Sequence, residues 1–558
     1  MSKDMLISEV ESRVSTAFGA GVEGRYNGGR AAVHGDIGFA FHSLDPALLS
    51  QHTAETVKDA LAELPYVRDV HYVGKFLNIR LDRAAYIEAL RAGAVVDIER
   101  AGMRGVPVLL EHTSINPNAS PHVGRARNAI LGDTLARTLR ALGAELTSHY
   151  YVNDFGRQIA LLLVALGPDG VRSVDFAEIL DVYVRINAQA EEDSAIVEQA
   201  LTLLAKAEMG DTTTLNALRD IARHSLDGQL AILTKLGITF DQFDFETDLL
   251  ESPELAEIEE HLVQEKIAQK DDLGRVVADL RKLGFNRDEG RYLVLRRANG
   301  SSMYVLRDLA YNLRKARSAA GGRNIVVLGE DHKLYMEQLG LLVGSRGVDA
   351  PEAVFYSYVM LKDGKMSTRQ GSVVLLEDLI DKARHLARER VANANPVLAV
   401  ATIERIAEEV ATAAVRFALL RVTPSSTITF DLADAVRFEG ATGPYLQYTA
   451  VRCASIREKS SALERRASTV EVSDALWDVA LLVDQYERAL LESAVRLQSQ
   501  LVCDYLIKLA QAFNKLYASE KVINDQEVDD RLLAVVERVH TILEHGLSVL
   551  GISVPERM

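Results

Sequence analysis

In the middle of the chain, short apolar runs alternate with longer stretches of helical period. Val106 to Leu110 is an apolar, β-branched run of strand type. A polar loop rich in Ser, Asn and Pro follows, which cannot continue the strand. From Arg125 the period turns helical, with Ile130, Leu131, Leu135, Leu139 and Leu142 on one stripe and Gly143 as the stop. Ala144 to Gln158 begins as a second buried strand and ends in a turn. Strand, helix and strand in this order predict a βαβ unit, hence a parallel sheet with its ligand at the carboxyl ends of the strands. Tyr292 to Leu295, Met303 to Leu306, Ile325 to Leu328 and Val354 to Met360 are expected to resume that sheet, with Leu379 to Val391 as a helix.

The flanking regions follow other patterns. Gly167 to about Gly290 is acidic and helical and reads as an insertion, its charge runs Glu191-Glu192-Asp193 and Glu257 to Gln264 forming solvated faces. From Pro396 to Met558 apolar stripes such as Val415, Leu419, Leu420 and Leu501, Tyr505, Leu509 predict an all-α domain. Residues 1–100 read as a small α/β domain, with helices at Met5 to Phe18 and Ala54 to Leu64 and one strand over His71 to Arg80. The resulting division is 1–100, 101–395 with the insertion at about 167–290, and 396–558. Gly19 to Gly24 fits the Gly-x-Gly-x-x-Gly spacing but follows a helix instead of a strand, so no dinucleotide site is expected there.

Composition adds limits. At 558 residues several domains are expected, and 48% hydrophobic with 25% charged residues is ordinary for a globular chain able to build large cores. A net charge of −16 argues against a non-specific nucleic-acid coat, while leaving room for a polynucleotide held on local basic faces. Cys453 and Cys503 form neither a metal-ligand spacing nor a disulfide framework, which fits a reducing cytoplasm. The acidic N-terminal segment lacks the apolar stretch of a secretion signal, so the acceptor-like Asn118-Ala119-Ser120 and Asn299-Gly300-Ser301 have no glycosylation role. No apolar run approaches the ~20 residues of a membrane span. The thirteen His residues show no metal-binding spacing.

Two stretches carry candidate chemistry. His122-Val123-Gly124-Arg125 lies where loop becomes helix, and helix N-termini favour anions, phosphate above all. His122 can donate to a phosphate oxygen, and Gly124 leaves room for a ligand to approach. Lys365-Met366-Ser367-Thr368-Arg369 follows a strand on a glycine-bordered loop and offers the cations that a triphosphate needs as its charge redistributes. Each stretch alone also reads as an ordinary turn. A third group, Glu111, Asn116, Tyr304 and Asp308, joins two acids to an aromatic wall and suits a guanidinium. Its bland alternative is that Asp308 caps a helix and Glu111 pairs with a nearby Arg.

The first stretch resembles the HIGH signature of class I aminoacyl-tRNA synthetases and the second their KMSKS signature, in the family's order and separation. The whole chain resembles the arginyl-tRNA synthetases. The Glu111-His112-Thr113-Ser114 loop, Val33 to Phe41 and Val73 to Leu81 share in the resemblance, as do Gly443 to Arg452, Leu509 to Tyr517 and the ending Leu550 to Met558. It implies a multidomain α/β protein: a Rossmann-like parallel-sheet catalytic domain with a helical insertion, a small N-terminal tRNA-contacting α/β domain and an all-α anticodon-binding C-terminal domain. The implied activity is arginine–tRNA ligation with ATP and Mg2+, by a cytoplasmic monomer with tRNA(Arg) and L-arginine as partners, no structural metal and no membrane. Arginine contacts would come from Glu111, Asn116, Tyr304, Asp308 and Asp331. ATP contacts would come from Ser114, His122, Gly124, Arg125 and His332 on one side and Lys365, Met366, Ser367 and Arg369 on the other. Of these, His122, Arg125, Lys365, Ser367 and Arg369 would act on the reacting phosphates. Tyr445, Gln447, Tyr448, Arg452 and Tyr517 are of the types that stack on unpaired bases and hold phosphates, although core packing is their alternative.

The sequence departs from the family in three places: Arg125 stands for the second His of HIGH, Thr368 for the second Lys of KMSKS, and Asn299 for the Asp of a usual Ser-Asp-Gly. Family members without a KMSKS lysine carry a compensating Lys before HIGH. Asn116 to Ser120 contains none, so the phosphate charge is expected from the second loop alone. These departures leave two further readings: a duplicated synthetase serving secondary metabolism or inhibitor resistance, and a non-catalytic tRNA-binding regulator.

Overall fold

The computed structural model describes residues 6–18, 24–26, 35–40, 51–73, 76–92, 102–361, 374–467, 471–524 and 527–558. The Lys365 to Arg369 stretch therefore lies outside the described residues, as do most of Gly19 to Gly24, Val33, His34 and Phe41. Five parallel strands form the central sheet: β1 (Pro107–Glu111), β2 (Glu145–Val152), β3 (Gln242–Phe245), β4 (Arg323–Gly329) and β5 (Glu352–Tyr356), in the spatial order β5-β4-β1-β2-β3. The chain builds outward from β1 through β2 to β3, then crosses to the other side of β1 for β4 and β5. This reversal opens a crevice beyond the carboxyl ends of β1 and β4, the usual ligand position in such sheets.

Helix α1 (Val123–Ala141) follows β1 and is buried on nearly all sides, with Ala126, Ala129, Ile130, Leu131, Leu135 and Leu139 in the core. Gly143, at φ +85°, turns the chain back into β2. Gly132 lets α1 lie against β1, because a Cβ there would fall 2.2 Å from the His112 ring. Helix α2 (Tyr304–Ser318) precedes β4, and α3 (Lys333–Gly344) follows it.

Four expectations need correction. Met303 to Leu306 is no strand: Met303 is an extended N-cap and Tyr304 opens α2. Three apolar residues in a row suit a strand, but the 3.6-residue stripe Val305, Leu306, Leu309, Ala310, Leu313 prevails. Tyr292–Arg296 is a strand, yet it pairs antiparallel with Val276–Asp279 in a separate three-stranded sheet completed by Ala268–Lys270. The single strand expected over His71 to Arg80 is an antiparallel pair, Val67–Val73 and Phe76–Leu81, in a four-stranded sheet with Ile37–Ala40 and Gly24–Tyr26. Val354 to Met360 is two strands, β5 and Val359–Leu361, the latter pairing with Ile428–Phe430.

Residues 176–234 carry three helices, and most of 376–558 is helical. One continuous apolar core runs from Val10 through α1 to Ile552. Trp477 closes the N-terminal sheet against the last helices, with its Nε1 3.3 Å from Asp36 Oδ1 and its ring 5.1 Å from that of Tyr86. Cys453 and Cys503 are buried and free. No described helix is long and apolar enough to cross a membrane, and no three described His, Cys, Asp or Glu residues cluster as a metal site.

Candidate active site

Beyond the carboxyl ends of β1 and β4 lies a cavity of about 1090 Å³. Glu111, Ser114, Asn116, Arg125, Tyr304, Asp308, Asp331 and His332 all line it. Residues nearly two hundred positions apart, chosen from sequence for a guanidinium and a nucleotide, thus share one space.

The loop after β1 is held in a strained form. Thr113 and Ser114 have φ of 73° and 40°, a left-handed backbone that costs non-glycine residues roughly 1–3 kcal/mol each. Compensation comes from buried hydrogen bonds: Thr113 N donates to Asn128 Oδ1 at 2.7 Å, and Tyr151 N donates to Ser114 Oγ at 3.1 Å. Ser114 Oγ also lies 3.4 Å from Glu111 Oε1. Asn116 is fixed at both ends, donating to Gln158 Oε1 at 3.1 Å and accepting from Asn153 Nδ2 at 2.8 Å. Asn128 is one of several buried polar residues of α1, with Arg127, Asp133, Thr134 and Thr138, and no signal in the sequence singled it out.

Helix α2 supplies the opposite wall. Asp308 is not a helix cap; it sits inside α2, lines the cavity, and accepts from Tyr335 Oη on α3 at 2.5 Å. Tyr304, half-exposed at the mouth, places its ring 5.4 Å from that of Tyr335. Glu111 has the paired partner foreseen in the bland alternative, but it is Lys315, at 2.5 Å, instead of an Arg. Burial raises the Asp308 carboxyl, and the nearby charge of Glu111 adds to this against the opposing Tyr335 bond and Arg307. Burial likewise pushes Glu246 up to about 7, although Arg307 Nε is 2.5 Å away. Raised carboxyls beside a cavity mark a place where a cation is wanted. Asp331 is exposed at the rim, 3.7 Å from His332 Nε2.

On the nucleotide side the signature junction is the N-terminus of α1. His122 is its N-cap residue and bridges antiparallel to Leu375, while Val123 N donates to Val374 O at 3.2 Å and Leu376 N to Pro121 O at 2.8 Å. The residues that leave the second signature loop are therefore zipped onto the first signature. Burial, with Arg125 adding to it, lowers the His122 imidazole to about 4, so it is neutral at pH 7. His122 and Gly124 do not line the cavity itself. The space at Gly124 is not open to a ligand, because a Cβ there would come within 3.0 Å of the His122 ring. Its lack of a side chain makes room for the imidazole. Arg125, one residue on, reaches the cavity.

In the C-terminal helices Arg452 is packed between two aromatic rings, 4.8 Å from the centroid of Tyr448 and 4.9 Å from that of the exposed Tyr517. It also donates to Asn514 Oδ1 at 2.7 Å, and Asn514 donates to Tyr445 Oη at 2.9 Å. Gln447 is fully buried, its Nε2 donating to the carbonyls of Glu409 and Ser553, so it serves packing and faces no solvent.

A parallel sheet with an acidic cavity at its switch point and a phosphate-type helix terminus beside it defines a class: nucleotide-dependent enzymes of Rossmann-like architecture that take a cationic substrate. Comparison with known proteins narrows this. Residues 96–431 match the family model for the catalytic domain of class I tRNA synthetases (R), and residues 446–558 match the DALR anticodon binding domain. The chain is 34% identical to the arginine–tRNA ligase of Methanosarcina barkeri over 88% of its own length and 87% of the relative's. It is 31% identical to that of Methanocaldococcus jannaschii, over 92% and 91%. Its fold matches the crystal structure of Thermus thermophilus arginyl-tRNA synthetase with a TM-score of 0.79 at 24% identity, covering 99% of this chain and all of that one. The chain belongs to the arginyl-tRNA synthetase family.

Proposed function

We infer that the protein joins L-arginine to tRNA(Arg) at the expense of ATP. In the first step a carboxylate oxygen of arginine attacks the α-phosphorus of Mg·ATP, and the bond to the bridging oxygen breaks to release pyrophosphate. In the second step a ribose hydroxyl at the tRNA end attacks the arginyl carbonyl, and AMP leaves. No covalent enzyme intermediate is required. The chain's contribution is alignment and charge.

The observation that carries this reading is the single cavity joining Glu111 and Asp308 to Arg125. Asp308, Glu111, Tyr304 and Asn116 receive the substrate side chain, with Asp331 at the rim. A neutral ureido group such as that of citrulline leaves the buried carboxyls without a cation and is rejected for that reason. Ser114, Arg125 and His332 form the nucleotide side of the cavity, with His122 and Gly124 supporting Arg125 at the start of α1, and Lys365, Met366, Ser367 and Arg369 of the second signature would supply the remaining phosphate contacts. Mg2+ would arrive on the triphosphate. Tyr445, Tyr448, Arg452 and Tyr517 form a face for unpaired bases of the tRNA.

Aminoacylation of total tRNA with each amino acid in turn tests the reading. Charging with arginine alone is expected, with Lys365→Ala removing most of it. Charging with another amino acid in preference to arginine, or with none, refutes it. As in the family at large, pyrophosphate exchange is expected only when tRNA is present.

A further inference from the structure

Helix α2 brings Tyr304, Asp308, Tyr311 and Lys315 to the cavity on one face, at steps of four, three and four residues. The deep end of the cavity contains three carboxyl groups, Glu111, Glu246 and Asp308, and two cations, Arg307 and Lys315. Arg307 is spent on Glu246 at 2.5 Å and Lys315 on Glu111 at 2.5 Å. The other charges packed behind this group are engaged elsewhere: Asp244 with His149 at 2.7 Å and Tyr311 Oη at 2.8 Å, and Asp154 with Thr247 and, at 3.9 Å, Arg219. Three carboxylates against two cations leave one negative charge, and Asp308, held by a phenol, is where it resides.

Lys315 is only 3% exposed, and its ammonium lies 4.7 Å from the centroid of the Tyr311 ring, a further attraction for a desolvated cation. Tyr311 in turn stacks on Tyr151 at 4.4 Å. The ammonium is thus held from below and cannot swing away from Glu111 Oε2 without losing both partners. The second oxygen of Glu111 is the one 3.4 Å from Ser114.

We propose that Lys315 is a positioning residue for substrate recognition. By fixing Glu111 through one oxygen and cancelling its charge, it leaves the cavity complementary to one side-chain cation and presents the remaining Glu111 oxygen to that cation. This rests on the arginine reading of the same cavity. Without Lys315, Glu111 becomes a buried carboxylate near Asp308 without a cation, keeps only the 3.4 Å contact to Ser114 Oγ, and is no longer held as an acceptor for the substrate.

The test uses the full chain in tRNA aminoacylation, with KM for arginine and for ATP measured from pH 6 to 9 for wild type, Lys315→Met, Glu111→Gln and the double variant. Lys315→Met is expected to raise the arginine KM about tenfold or more, the effect of losing one well-placed charge-assisted hydrogen bond to the substrate. Its ATP KM stays within about twofold of wild type. Its arginine KM falls with rising pH more steeply than in wild type, because the Lys315 charge no longer opposes the upward shift of the Asp308 carboxyl, and the double variant is no worse than Glu111→Gln because the two act as one unit. An unchanged arginine KM in Lys315→Met, losses that multiply in the double variant, or an ATP KM rising in step would overturn the proposal. If Lys315→Met does not fold, Lys315→Gln, which keeps a donor without the charge, carries the same measurements. A wild type that fails to charge arginine refutes the reading of the cavity; a wild type that charges arginine beside Lys315 variants of normal KM refutes only the role of Lys315.

Discussion

At the scale of single residues the cavity is governed by carboxyl groups whose charge is expensive. Asp308 has no cation of its own, so Asp308→Asn should raise the arginine KM by about 10- to 100-fold, the ~1.5–3 kcal/mol of a charge-assisted hydrogen bond, with the ATP KM unaffected. Steady-state kinetics at saturating ATP and tRNA measure this. The same chemistry fixes a pH dependence. Glu246 is raised to about 7, so it is increasingly protonated as the pH falls through neutrality, and burial shifts Asp308 in the same direction. The guanidinium needs them ionised, and arginine must then displace protons. The arginine KM should therefore climb between pH 8 and pH 6 and level off above 8. A KM independent of pH over that interval would show that these carboxyls stay charged in the free protein. His122, lowered to about 4, contributes nothing to this profile.

Among the elements, α1 and α2 show what the sequence could and could not reveal. The β1–α1–β2 unit was legible because each part has a clean period and Gly143 ends the helix. Glu111 and Asp308 were legible as types of residue suited to a guanidinium. Lys315 and Tyr311 were not, for one reason: Met303 to Leu306 reads as strand when taken alone. Starting α2 at Tyr304 puts Asp308, Tyr311 and Lys315 on its cavity face at once. Gly124 was misread because sequence shows an absent side chain without showing what fills the space. Packing between β1 and α1 yields a further prediction. Gly132→Ala drives a methyl into the His112 ring and should cost about 1–3 kcal/mol, read as a lower melting temperature with the arginine KM altered through the shifted Thr113–Ser114 loop.

Across the whole molecule, the helical C-terminal part and α1 are joined through Arg416. This fully buried guanidinium lies 2.5 Å from Asp133 on α1, and donates to Leu550 O at 2.6 Å and Leu236 O at 2.8 Å. Burial opposes ionisation of Asp133, but Arg416 and Arg137 outweigh it and hold the carboxyl below its ordinary range. Its contribution is therefore complete above about pH 4, the unfolded Asp value, and fades as acid takes the pH through the lower folded value. Arg416→Leu should destabilise the fold by about 3 kcal/mol and flatten that acid limb, as urea titrations at pH 3 to 6 would show. If the face around Arg452 receives tRNA as proposed, Arg452→Ala should weaken tRNA binding and reduce the slope of log affinity against log salt by about one, with the arginine KM unchanged.

Arg416 is also a clock. It leaves the ribosome 283 residues after Asp133 and 134 residues before Leu550, whose carbonyl completes its shell. At roughly 5–20 residues per second, the second interval is on the order of ten seconds and the whole wait of α1 is several times longer. A nascent chain passes that time with α1 not yet anchored from behind, so translation has to reach Leu550 before the packing behind the cavity is complete.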